Sequence, residues 1–381
     1  MPPGVNRVEI PFEEINNLIV IPVAVNQILK LKFVVDTGVE TTILTEPGFA
    51  PLLNIELYRK LIISGAGIND SIGAYVGNAV NFSLPGGING TNMSILVLEE
   101  DFLDLSEKMG TDIHGIIGYD LFRHFTVEFL HELKVMRLHG VNKFKPRKRH
   151  KELDLDIRNT KPYVEARITN NDRSDTVQLM IDSGASHAIL LDPNQSKIKT
   201  PRKTIETRLG TGLGGEINGK LGRLNSISIG EFTFNEVLAS IPKADSYSRL
   251  IKRGARQGTI GGEILSRLNQ VFDYTNKKLY ISKSKYFSKP FEADMSGLSL
   301  VAKGAFLDTL MVDFVQKKSP AFRAGILPGD ILQSVDSQNL QIANFGEIQG
   351  ILRGRPKRKV RFRIIRNGEK LKRVIRLRRQ I

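Results

Sequence analysis

The feature that most constrains this chain is a duplication. Phe33-Val34-Val35-Asp36-Thr37-Gly38 recurs 146 residues later as Leu179-Met180-Ile181-Asp182-Ser183-Gly184. Each copy leads an aspartate out of an apolar, strand-like run, follows it with a hydroxyl residue and a glycine, and returns to apolar residues at Ile43-Leu44 and Ile189-Leu190. Two further markers repeat in the same order. Ser64-Gly65-Ala66-Gly67-Ile68 matches Leu209-Gly210-Thr211-Gly212-Leu213 at an offset of 145, and Ile116-Ile117-Gly118 matches Thr259-Ile260-Gly261 at an offset of 143. Self-similarity at nearly constant spacing means two units of one topology. Such a chain sets its two aspartates at equivalent places in two lobes.

The length of 381 residues suits two or three domains, and 41% apolar with 25% charged residues is the composition of a folded protein. Both copies are rich in short β-type runs separated by Gly, Asn, Asp and Ser, with brief helical candidates only near residues 119 to 124 and 262 to 267. The expected class is mainly β. The first lobe is read as residues 1–142 and the second as 152–286. Between them, residues 143–151 (Lys143-Phe144-Lys145-Pro146-Arg147-Lys148-Arg149-His150-Lys151) form a basic linker. Residues 291–381 follow neither copy and make a third unit.

Several chemistries are excluded or disfavoured. With no cysteine there is no disulfide, thiolate zinc site or cysteine nucleophile. The six histidines show no metal-ligand spacing, and no GxSxG elbow is present, so neither a metal nor any other cofactor is expected. Gly210-Thr211-Gly212-Leu213-Gly214-Gly215 fits GxGxxG, but no amphipathic helix follows it to hold a pyrophosphate. The net charge of +15 raises a nucleic-acid or anionic-surface reading, yet +10 of it lies from Phe291 onward. There Lys359, Arg361 and Arg363 alternate with Val360, Phe362 and Ile364, as on a strand with one solvated face, and no aromatic platforms interleave. Nucleic acid is not a favoured partner.

Leu18–Val25 is the longest early apolar run, is broken by Pro22 and is far short of a membrane span. No basic-then-apolar leader precedes it, so no targeting signal is read in the chain as given.

Paired aspartates supply what amide hydrolysis requires. Two adjacent carboxylates cannot both ionise cheaply, so the pair holds one shared proton. The ionised member draws a proton from water, while the protonated member polarises the scissile carbonyl. Glycines at 38 and 184 allow close approach of two loops. The hydroxyls of Thr37 and Ser183 can reach the opposite loop's backbone. The glycine-bearing runs, with Gly65, Gly67, Gly210 and Gly212, read as flap hairpins at about residues 64 to 77 and 209 to 222 that close over an extended substrate.

On these residues the chain resembles aspartic peptidases of the retropepsin and pepsin superfamily over about residues 8 to 285, and bacterial single-chain members with retropepsin-like lobes most of all. The resemblance implies two retropepsin-like acid-protease lobes in tandem. It makes Asp36 and Asp182 the catalytic pair and Thr37, Gly38, Ser183 and Gly184 their support. Ala185 follows the second glycine where pepsin-like enzymes tend to have serine, which is what sets the small bacterial members closer than pepsin. The sequence departs from the family at Val39, where Ala or Ser is usual, and at Ala188, where the first lobe keeps Thr42. His187, five residues past Asp182, is expected to face solvent.

The third unit contains Ser319-Pro320-Ala321, Ala324-Gly325 and Gly329-Asp330-Ile331. In these it resembles an α+β PDZ domain of the bacterial protease-associated kind. The resemblance implies a loop of Gly297, Leu298, Ser299 and Leu300 whose amides bind a peptide C-terminus, with Phe345–Leu352 as the helix beside the groove. A ligand would add as a strand.

The resulting expectation is an aspartic endopeptidase acting on peptide or protein substrates, with PDZ-assisted recruitment, in the bacterial periplasm or envelope rather than the cytoplasm. The alternatives are a catalytically inactive peptide-binding protein and an adaptor for anionic surfaces or nucleic acid. Oligomeric state is not readable.

Overall fold

The computed structural model describes the whole chain except residues 64, 66–70, 193, 194, 196, 197, 244–255, 337 and 340–344. Its described residues fall into two compact units. One joins Met1–Leu103 to His114–Pro290, and the other joins Asp104–Ile113 to Phe291–Ile381.

The first unit holds both lobes, and the duplication of sequence is a duplication of strand order. In the first lobe an eight-stranded sheet runs Glu13–Ile15, Leu18–Val25, Leu29–Val35, Gly115–Ile117, Ile43–Leu44, Ile88–Leu98, Ile72–Leu84, Leu57–Ile63. In the second the order is Asp156–Arg158, Lys161–Asn170, Arg173–Ile181, Gly258–Ile260, Ile189–Leu191, Phe232–Pro242, Gly215–Ile229, Thr204–Gly212. Each sheet bends back on itself through one extra pairing, Leu18–Val25 with Ile72–Leu84 and Lys161–Asn170 with Gly215–Ile229. Pro22 sits in Leu18–Val25 between the short second-side pairings at Leu18 to Val20 and at Ala24 and Val25. Its missing N–H therefore costs no bond on that side.

A six-stranded sheet joins the lobes in the order Arg7–Pro11, Val135–His139, Thr126–Leu130, Leu268–Asp273, Lys278–Lys283, Lys151–Asp154. Its central register pairs Glu128 with Val271. Those two positions are themselves separated by the repeat offset of 143, so a pseudo-two-fold axis passes between them. Every residue of Thr126–Leu130 and Leu268–Asp273 is buried. Phe122, Phe129 and Phe272 pack there with mutual ring-centroid distances of 5.6 to 6.4 Å.

In the second unit a sheet runs Leu298–Lys303, Thr309–Val315, Ile331–Val335, Lys359–Arg366, Glu369–Arg376, with Gln338–Asn339 beside Ile331–Val335. Helix Phe345–Leu352 contributes Phe345, Ile348 and Leu352 to the core of that sheet. Val360, Phe362 and Ile364 point inward while Lys359, Arg361 and Arg363 are exposed, so this basic run is one solvated strand face. Asn367 and Gly368 both take positive φ, as a two-residue hairpin turn requires. Asp330 is buried and accepts two bonds from Arg366, at 2.6 and 2.7 Å. Among the described residues no helix is long and apolar enough to cross a membrane.

Candidate active site

Asp36 and Asp182 each follow a strand, Leu29–Val35 and Arg173–Ile181, whose last residues are buried. A short parallel neighbour fixes each strand end. Gly115–Ile117 pairs with Phe33 to Val35, and Gly258–Ile260 pairs with Leu179 to Ile181. The pairing continues into the loop in both lobes, where Asp36 N donates to Ile117 O and Asp182 N to Ile260 O, each at 2.9 Å. The repeated apolar-apolar-glycine marker thus supports the aspartate loop from beneath. Its glycine is required there, because a Cβ on Gly118 would collide with the Val39 and Asp36 carbonyls and one on Gly261 with the His187 carbonyl.

The two loops meet. Thr37 Oγ1 donates to Ile181 O and Ser183 Oγ donates to Val35 O, both at 2.8 Å. Each hydroxyl also accepts the other residue's backbone N–H at 3.0 Å. Four bonds therefore cross between lobes in a buried setting. Inside each loop the glycine amide donates to its own aspartate, Gly38 N to Asp36 Oδ1 at 2.6 Å and Gly184 N to Asp182 Oδ1 at 3.1 Å.

The carboxylates lie side by side, with Asp36 Oδ1 and Asp182 Oδ1 at 3.1 and 3.5 Å from a Cβ built on Gly38. Burial, and then the negative charge of Asp182, hold the Asp36 carboxyl well above the usual range, outweighing the Gly38 amide and the positive charge of Lys161. A proton is thereby retained where a lone surface aspartate would lose it. The halves are not equivalent. A Cβ on Gly184 would fall into the Asp36 carboxylate, whereas one on Gly38 would meet Asp36 Oδ1 at 3.1 Å and Asp182 Oδ1 at 3.5 Å. Thr42 donates from N and Oγ1 to Asp120 Oδ2, at 3.2 and 2.8 Å. Ala188 has no hydroxyl with which to repeat this, and the equivalent Glu263 pairs with Arg267.

His187 does not face solvent. It is half-buried, and its Nε2 is enclosed without a hydrogen-bond partner. Burial lowers its pKa to about 4, against the pull of the Asp182 charge, so the ring is neutral at neutral pH. Sequence reasoning missed Tyr274, whose buried hydroxyl also lacks a hydrogen-bond partner and is held well above its ordinary pKa by burial and then by the Asp36 charge. It also missed Asp120, although its place two residues after Gly118 in the repeated marker was a usable signal.

The glycine runs lie on hairpins, Leu57–Ile63 with Ile72–Leu84 and Thr204–Gly212 with Gly215–Ile229. Gly212 pairs with Gly215 across the tip of the second, and Gly210 follows a register shift with φ +153°. Gly67 lies outside the described residues. Gly65 abuts the other tip so closely that a Cβ there would collide with Leu213 Cβ. Gly65 and Leu213 are therefore in contact. Together the two aspartate loops can hold one proton between two carboxylates.

In the second unit Gly297 has φ +80° and precedes the strand that carries Leu298, Ser299 and Leu300. The amides of Ser296 and Gly297 donate to Asp294 Oδ1, at 2.9 and 2.6 Å, and Leu298 N donates to Ser296 Oγ at 3.1 Å.

Comparisons agree with this organisation. Residues 21–121 and 164–264 each match the family described as "Aspartyl protease", and residues 311–366 match "PDZ domain". No curated protein matches in sequence. Solved structures similar to this chain include an aspartic proteinase from Irpex lacteus, at 14% identity and TM-score 0.45, covering 74% of this chain and 99% of that one. Another is Basic 7S globulin from soybean, at 12% identity and TM-score 0.45, covering 75% of this chain and 98% of that one.

Proposed function

The chain belongs to the aspartyl protease family and carries a C-terminal PDZ domain, and from that premise we propose that it is an aspartic endopeptidase whose catalytic pair is Asp36 and Asp182. The observation that carries this reading is the juxtaposition of two carboxylates from matched, cross-bonded loops, both within 3.5 Å of a Cβ built on Gly38, with Asp36 held above its ordinary proton affinity. In the proposed cycle the pair holds one proton, and a water lies between the acids. The ionised carboxylate takes a proton from that water as its oxygen attacks the scissile carbonyl carbon. The protonated carboxyl donates to the carbonyl oxygen, giving a tetrahedral gem-diol. Collapse of that species breaks the C–N bond, and a proton passes to the leaving nitrogen. The paired tips at Gly65 and Leu213 suit a cover that supplies backbone partners to an extended peptide and excludes water. The PDZ domain fits a module that presents peptide or protein substrates to the cleft.

The test is digestion of a peptide library from acidic to neutral pH by the full chain and by Asp36→Asn and Asp182→Asn. Each substitution is expected to remove cleavage by at least about a thousandfold. Cleavage surviving either one sinks the assignment of the pair. Absence of cleavage by the unaltered chain at every pH replaces the reading with that of an inactive peptide-binding protein.

A further inference from the structure

The second unit is built from two separate pieces of chain, and the smaller piece was not expected. Asp104–Ile113 clusters with the PDZ fold although its sequence neighbours, Leu103 and His114, belong to the first lobe. It folds as one helical turn, Leu105–Met109, closed by Gly110 with φ +67° and by Ser106 Oγ, which donates to Ile113 O and accepts from Ile113 N.

This piece touches both walls of the PDZ groove. The helical turn packs against the edge strand Leu298–Lys303, and Glu107 pairs with Lys303 at the end of that strand. Gly110 abuts Phe345, the first residue of the facing helix, so closely that a Cβ would lie 2.6 Å from Phe345 Cβ. The groove's polarity follows from Met295 N, which donates to Leu352 O at 3.0 Å and ties the start of the strand to the end of the helix. Lys303 and Phe345 therefore mark the opposite end, and Asp104–Ile113 spans it.

We infer that the PDZ groove is closed in cis, with Asp104–Ile113 as its resident partner, so that an incoming peptide binds only by displacing this chain's own residues. Tethering favours the resident, because a segment held in place by the chain acts at millimolar effective concentration and lowers the apparent affinity of any competitor. Displacement has a route to the candidate active site through the chain itself. Only His114, Gly115 and Ile116 separate Ile113 from Ile117, whose carbonyl accepts the Asp36 amide. The inference concerns binding and stands whether or not Asp36 and Asp182 cleave peptides.

The test uses the full chain carrying Asp36→Asn, so that no probe is consumed. The probe is a synthetic fluorescent ten-residue peptide with the sequence of residues 104–113. Two variants release the resident by different means, Glu107→Lys by opposing Lys303 and Gly110→Val by colliding with Phe345. Both are expected to bind the probe at least about tenfold more tightly than the parent chain. In the parent, backbone amides of residues 104–113 should resist hydrogen exchange, and both variants should lose that protection. Equal probe binding by parent and variants, or unprotected amides in the parent, would overturn closure in cis.

Discussion

Thr37 and Ser183 exchange hydrogen bonds across the pseudo-two-fold axis, each hydroxyl accepting the other residue's amide at 3.0 Å while donating onward to the partner loop at 2.8 Å. Each side chain is thus both donor and acceptor between lobes, and the single hydroxyl proton of each is committed. The aspartates, one residue earlier in each loop, inherit their mutual position from this exchange.

The exchange makes a prediction about stability. Thr37→Val strands the Ile181 carbonyl and the Ser183 amide, and Ser183→Ala strands the Val35 carbonyl and the Thr37 amide. An unsatisfied buried polar group costs about 1–3 kcal/mol, so each variant should lose about 2–4 kcal/mol in urea denaturation. The double variant should lose less than the sum of the two, because both hydroxyls tie the same two loops together. Strict additivity would show that the bonds do not act as a unit.

A second prediction follows from the inequality of the loop glycines. Neither Gly38 nor Gly184 has positive φ, so an alanine at either place is opposed by neighbours and not by the backbone. Gly184→Ala pushes directly on the Asp36 carboxylate and should lower kcat/KM for peptide cleavage at least about a hundredfold. Gly38→Ala meets its nearest atom at 3.1 Å and should lower it by about tenfold or less. Equal losses at the two positions would contradict the asymmetry of the pair.

Proton linkage separates Asp36 from His187. The folded state raises the Asp36 pKa, so it binds that proton more tightly than the unfolded chain does. This stabilisation is complete below about pH 3.8, the ordinary aspartate value, and is lost as pH rises through the raised folded value. Relative to the parent, Asp36→Asn should therefore gain in Tm as pH is raised across that window. His187 runs the other way. Its pKa falls from 6.5 to about 4 on folding, so its contribution is present above pH 6.5 and is lost as pH falls towards 4. His187→Gln should flatten the Tm profile between those values. Thermal melts across the range read both effects, and parallel curves for parent and variants would refute them.

The flap contact predicts a change in substrate binding. Gly65→Val forces its tip away from Leu213 and loosens the cover over the cleft. KM for a long peptide should rise about three- to tenfold, because the cover makes backbone contacts with the bound ground state, while kcat changes less. A fall in kcat with KM unchanged would place the effect on the chemistry and not on the cover.

Much of this was legible in the chain because duplication converts sequence into symmetry. The two Asp-hydroxyl-Gly runs, the glycine-bearing hairpins and the apolar-apolar-glycine markers recur in order, and the strand orders of the lobes repeat with them. Local pattern also sufficed for the basic strand Lys359–Arg366, where period-two alternation states which face is wet. Pattern failed for His187. A polar residue near a turn reads as solvated, yet its ring nitrogen is enclosed in the packing beside Asp182.

The sequence by itself determined the two acids, their hydroxyl neighbours and the topology of both lobes, since each of these is encoded within a few consecutive residues and then repeated. Only the tertiary structure decided the inequality of the pair, because the crowding of Asp36 by Gly184 and the support of Thr42 by Asp120 are contacts between segments far apart in the chain. The placement of Asp104–Ile113 is of the same kind. Nothing in those ten residues announces a PDZ partner, because an ion pair with Lys303 and a close approach to Phe345 exist only once the two pieces of the unit have folded together.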